Sequence, residues 1–121
     1  MRQITARLPR TLNINDHTQR GGTSLRGHMT ANYIDIVRRL GQPESGDGYK
    51  VDADWTVTDE SIRVPSPLDQ TKMVGLTATL YNWKNGPAYL GDEGTPVESN
   101  LEWNIGGNHP DAVKLIYAVL D

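Results

Sequence analysis

MVGLTATLYNWK, residues 73–84, alternates its side chains with period two. Val74, Leu76, Ala78 and Leu80 fall on one face; Met73, Thr77, Thr79, Tyr81 and Trp83 fall on the other. Such alternation marks a β-strand. Both faces carry apolar or aromatic groups, which puts the strand in the middle of a sheet or sets its second face against a partner.

Upstream, YKVDADWTVTD (residues 49–59) alternates more strictly. Val51, Ala53, Trp55 and Val57 point one way; Lys50, Asp52, Asp54, Thr56 and Thr58 point the other. This predicts a strand with one buried and one wet face, and Asp52 and Asp54 read as solvated rather than as a catalytic pair. Residues 59–71 hold two prolines and predict a long loop or a broken edge strand. Downstream, NGPAYLGDEGTP is turn chemistry throughout. Residues 101–105 then read as a short strand that Gly106-Gly107 breaks. TSLRGHM, residues 23–29, predicts one more strand, ending near Thr30.

Two helices complete the pattern. Tyr33, Ile36, Val37 and Leu40 stand at i, i+3, i+4 and i+7, with Thr30 as N-cap, Gly41 as the residue after the C-cap, and Pro43 barring continuation. Val113, Ile116, Tyr117 and Leu120 repeat that spacing near the end of the chain, with Asn108 or His109 as cap and Pro110 in the first turn. The strand connections are too short for parallel crossovers. The expected fold is therefore α+β: a small antiparallel sheet with two helices on one face, in the order β-α-β-β-β-α. Residues 1–20 form a basic N-terminal arm or an edge strand using Leu8, Leu12 and Ile14, and residues 21–121 a single domain.

Composition narrows the chemistry. The 121 residues include no cysteine, which removes thiol nucleophiles, disulfides and cysteine zinc sites. There is no phenylalanine, so three tryptophans and five tyrosines supply the aromatic volume. No apolar run approaches the roughly 20 residues of a membrane span. Residues 1–39 carry seven arginines against Asp16 and Asp35, a net of +5; residues 40–121 carry five Lys or Arg against thirteen acids, a net of −8. A basic front and an acidic rear point to a partner with phosphates or carboxylates, while the net charge of −3 argues against general nucleic-acid binding.

Catalytic patterns are weak. His17, His28 and His109 share no ligand spacing, so neither a metal nor another cofactor is expected. Ser24 beside Arg26 and His28 lacks a nucleophile-elbow context. Binding chemistry is better represented. Tyr81, Trp83 and Tyr89 offer flat faces on which a base can stack. Arg26, Arg38, Arg39 and Lys84 are candidate phosphate cations, and Thr23 and Ser24 candidate hydrogen-bond donors. Alternatively, Tyr81 and Trp83 pack against Trp103 and the helices.

Five blocks in order, GTSLRG, a helix ending in RRLGQP, KVDADW, YNWKNGPAYLG and EWNIGG, resemble a family of small proteins encoded by tailed bacteriophages. Its members usually read GTSLxGY, LVxxFGxP, KxxAEW, IYNWK or IYDWK, and WxIGG. The resemblance spans about residues 22–119. Two departures stand out: ESIRVPSPLDQTKMVG replaces the usual Asp-Gly hairpin, and Leu40 replaces a Phe before Gly41. The resemblance implies a viral, anti-defence setting in the cytoplasm of an infected bacterial host. There the chain would act as a sponge, binding a cyclic nucleotide or related immune signal without turnover. A homo-oligomer with ligand held between subunits fits an aromatic second sheet face. Two other expectations stay open: an inhibitor that contacts a host defence protein through its acidic and aromatic surface, and an enzyme that degrades the signal.

Overall fold

The computed structural model describes residues 12–15 and 22–121. Its strands are β1 (Leu12–Ile14), β2 (Ser24–Thr30), β3 (Asp54–Pro65), β4 (Met73–Tyr81) and β5 (Glu102–Gly107). Its helices are α1 (Tyr33–Leu40), the single turn α2 (Pro87–Leu90) and α3 (Ala112–Leu120). All strands belong to one antiparallel sheet in the order β1-β3-β4-β5-β2. The α+β class is as the sequence predicts, and β4 lies at the centre of the sheet. Residues 1–11 and 16–20 of the proposed arm lie outside the described residues. Leu12 and Ile14 form the outer strand against Asp59 and Val57.

The sheet has two unlike faces because period two sorts them. Trp55, Val57, Leu76, Ala78, Leu80, Trp103 and Ile105 are buried on one face, under Ile36 and Leu40 of α1 and Ala112, Leu115, Ile116 and Val119 of α3. Without phenylalanine, the middle of this core is a pair of indoles, Trp55 and Trp103, meeting edge-on at 5.5 Å. A buried indole N–H needs an acceptor. Trp103 donates to the Ala31 carbonyl at 2.9 Å and Trp55 to the Gly41 carbonyl at 2.8 Å, so the two rings hold the chain at either end of α1. The opposite face carries Thr56, Thr58, Thr77, Thr79 and Tyr81, with the Thr58 and Thr77 hydroxyls hydrogen-bonded to each other at 3.0 Å.

Several boundaries differ from expectation. Residues 59–71 are mostly strand: β3 continues to Pro65, and a register shift between Asp59 and Arg63 absorbs the irregular residues. Arg63 spans the shift, reaching Glu60 at 3.1 Å and the Met73 carbonyl at 2.8 Å. Gly106 and Gly107 do not break β5; they pair with Thr79 and Ala78. A side chain at Gly107 would collide with Ala112, so its absence lets α3 lie directly on the sheet. The N-cap of α1 is Asn32 rather than Thr30, and that of α3 is Asp111 rather than Asn108 or His109. Helix α3 is also turned relative to its predicted stripe. Tyr117 is 50% exposed, and Leu115 and Val119 are buried in its place. That helix is apolar nearly all round, so spacing alone cannot fix which side faces the sheet.

Candidate functional site

The site starts from an asparagine. β4 ends at Tyr81, and the next side chain, Asn82, is buried and uses all its hydrogen-bonding capacity. Its Oδ1 accepts from the Asp52 and Ala53 amides at 2.8 and 3.1 Å; its Nδ2 donates to Asp52 Oδ2 at 2.7 Å and Asn85 Oδ1 at 3.0 Å. Asp52 Oδ1 in turn accepts the Ala88 amide at 2.9 Å. The chain extends through Asn85 and Asn100 to the Glu102 carbonyl. Gly86 is required here, because any side chain would run into the Asp52 carboxylate. Asp52 is therefore a structural acceptor rather than a member of a wet strand face, and Asp54 is buried. The strand starts only at Asp54, so the alternation through Val51 and Ala53 belongs to a loop clamped by Asn82.

A second loop, residues 46–51, lies alongside. Asp47 Oδ1 accepts the amides of Tyr49, Lys50 and Val51, each at 2.9 Å. Those amides, Tyr49 and Val51 foremost, hold the Asp47 carboxyl below the usual carboxylate range. The Lys84 amide donates to the Lys50 carbonyl at 2.7 Å and joins the two loops, with Lys84 in the left-handed region at φ 58°.

Together the loops present a closed cluster of rings and ammonium groups. Tyr49, Trp83 and Tyr89 are 57%, 44% and 40% exposed. Lys50 Nζ lies 5.4 Å from the Tyr49 ring centre and 5.5 Å from that of Trp83. Lys84 Nζ lies 5.7 Å from Trp83 and 5.5 Å from Tyr89. Tyr89 meets Tyr49 at 5.4 Å, which closes the circuit. Behind it, Tyr81 meets Trp83 edge-on at 6.1 Å. Burial pushes the Tyr81 phenol up, against an opposing hydrogen bond with the Asn104 side chain.

The sequence-predicted residues separate into three groups. Tyr81, Trp83, Lys84 and Tyr89 are brought together. Thr23 lines a hollow with Tyr81 on the threonine face. Ser24, Arg26, Arg38 and Arg39 stand elsewhere. Ser24 pairs with Gly107 on β2, and Arg26 donates through Nε to the Gly107 carbonyl at 3.0 Å. Arg38 pairs with Asp35 at 3.7 Å, and Arg39 donates to the Asp121 carbonyl at 2.8 Å, both from α1. The arginines are thus not the cations at the rings; Lys50 takes that place. Lys50 and Tyr49 escape sequence reasoning because they precede the strand in a glycine-rich loop. The one signal is the Asp47 side chain, which caps the next amides of GDGYKV. Among the described residues, no three His, Asp or Glu side chains converge as metal ligands. Comparison with family models, curated proteins and solved structures finds no match.

Proposed function

We propose that the chain is a non-enzymatic binding protein whose Tyr49–Trp83–Tyr89 platform captures a flat, phosphorylated, nucleotide-like ligand. The supporting observation is the pair of ammonium groups, Lys50 and Lys84, within 5.7 Å of three exposed ring centres. A base stacking on an aromatic side chain contributes roughly 1–3 kcal/mol. Each exposed lysine contact that it displaces contributes about 0.5–1 kcal/mol. Stacking on Trp83 is comparable with the two lysine contacts it displaces there, and phosphate decides the balance: the lysines keep their stems on the rings while their ammonium groups turn to it. With the blocks resembling tailed-phage proteins, this supports a sponge for a cyclic nucleotide or related immune signal in an infected bacterium. The test is a panel of cyclic di- and trinucleotides and cyclic ADP-ribose isomers, followed by heat release. A sponge returns its ligand intact and melts at higher temperature in its presence. Trp83→Ala should lower affinity by roughly five- to 150-fold, from the lost stacking energy. Unaltered affinity, or a chemically changed ligand, would overturn the proposal.

A second reading has one observation in its favour. Leu90 is exposed beside Tyr89, and Asp92 and Glu93 follow on the next turn. An aromatic, apolar and acidic edge of this kind fits a basic surface on a host defence protein. An inhibitor of that type gives no ligand-dependent melting shift and retains a host protein through the Tyr89–Glu93 edge.

A further inference from the structure

The platform is bordered by charges of both signs. Helix α2 runs from Tyr89 and Leu90 straight into the turn Gly91–Glu93, which exposes Asp92 and Glu93. The next two residues fix that turn beside the rings. The Thr95 amide donates to the Asn85 carbonyl at 2.8 Å, and Gly94 sits so closely on the Gly86–Pro87 backbone that a β-carbon there would collide. Acids and lysines are thus held around one set of rings. Among the described residues, however, no ion pair joins Lys50 or Lys84 to Asp92 or Glu93. The ammonium groups lie against rings, and the carboxylates face solvent.

A surface with this make-up is complementary to itself. A two-fold axis turns a patch onto its own copy, so that residue i meets j and j meets i. A basic host surface would satisfy Asp92 and Glu93 but would meet Lys50 and Lys84 as like charges. A second copy of the chain satisfies both signs at once. Area sets how tightly it holds. A tyrosine or tryptophan carries about 150–250 Å2, and Tyr49, Trp83 and Tyr89 are 57%, 44% and 40% exposed. The rings therefore offer about 300 Å2, against roughly 800 Å2 per partner in a standard interface. Leu90 and the charged rim enlarge the contact, which stays in the range of weak, reversible complexes. In such a contact the rim charges fix the register and reject wrong partners.

We infer that the platform face is the interface of a weak isologous dimer of this chain, in which Lys50 and Lys84 of one protomer meet the partner's Asp92 and Glu93 around paired Tyr89 rings. The interface is built from loops and one helical turn rather than from the second sheet face. It covers the rings that a ligand would use, so pairing and ligand capture compete. No ligand enters the test, which therefore fails independently of the reading above.

Sedimentation velocity follows the intact chain from about 10 μM to about 1 mM, at two salt concentrations. Lys50→Glu with Lys84→Glu makes the rim acidic throughout; Asp92→Lys with Glu93→Lys makes it basic throughout. Each variant's melting is checked first. The intact chain should pass from monomer to dimer as concentration rises. Pairing should weaken severalfold at about 1 M salt, where the screening length falls from about 8 to about 3 Å. Either variant alone should pair at least about tenfold more weakly, because like charges now face one another. An equal mixture of the two should pair again, since every charge across its seam then meets the opposite sign. Tyr89→Ala leaves all the charges in place and should also weaken pairing.

A chain that stays monomeric to about 1 mM overturns the proposal and leaves the face to a ligand or to a basic partner. A dimer that persists in both charge variants, or in Tyr89→Ala, uses another surface and overturns it equally. So does a mixture of the two charge variants that fails to pair.

Discussion

Asn82 is the residue on which the platform depends most. Its amide satisfies two backbone N–H groups, one carboxylate oxygen and one neighbouring amide oxygen. Replacing it with alanine strips all four at once. An orphaned buried polar group costs about 1–3 kcal/mol, more when charged, although water entering the gap offsets part of the sum. Asn82→Ala should therefore destabilise the fold by roughly 3 kcal/mol in denaturant titrations and abolish ligand capture. The role is invisible in the sequence. Asn82 stands in YNWKNG, where asparagine reads as turn chemistry, and its partners at Asp52 and Ala53 lie 30 and 29 residues away. Trp83 is different. The sequence puts it at the end of the strand next to a turn; the strand stops at Tyr81, and the indole beyond it stands in solvent.

At the level of elements, the 46–51 loop couples the platform to pH. The Asp47 carboxyl is held below its usual range by the amides it accepts. A carboxyl whose folded pKa is depressed adds stability above its unfolded pKa, near 4, and loses it as pH falls through the folded value. Acidification below about pH 4 should release the amides of Tyr49, Lys50 and Val51, and with them the Tyr49–Tyr89 contact. Lower protection at those three positions, taken relative to the intrinsic exchange rate at each pH and reproduced at neutral pH by Asp47→Ala, is the expected measurement. Exchange unchanged in Asp47→Ala would show that the carboxylate does not organise the loop. Elements were legible where pattern and environment agree, as in β4 and α1. They were misread where a local signal is overruled by pairing across the sheet. The prolines and polar residues of 59–71 look like a loop, yet β4 pulls Arg63, Val64 and Pro65 into register. Gly106 and Gly107 look like a stop, yet they are the part of β5 over which Tyr81 and α3 are seated.

For the whole molecule, strand order sets where stability resides. β4 is flanked by β3 and β5, whereas β1 and β2 form the two edges. Native-state hydrogen exchange should be slowest through residues 76–80, approaching global unfolding, and fastest in the three residues of β1. Comparable protection in β1 and β4 would contradict this topology. The α+β class followed from alternation, helical spacing and short connections. The edge-to-edge order did not, because nothing local tells β2 to pair with a strand some 80 residues downstream. The cationic site was half legible for a similar reason. Arginine-rich segments drew attention to β2 and α1, whereas the lysines at the rings come from two loops that meet only once the sheet is built.

The three indoles occupy sharply different surroundings. Trp55 and Trp103 are 0% and 1% exposed, and Trp83 stands in solvent at 44%. The protein therefore carries its own optical gauge. Acrylamide or iodide should quench the red-edge emission of Trp83 alone and leave the blue emission of the sealed pair untouched. A molecule settling on the platform should shield the first colour without disturbing the second, so occupancy and unfolding can be read separately in one cuvette without any attached dye.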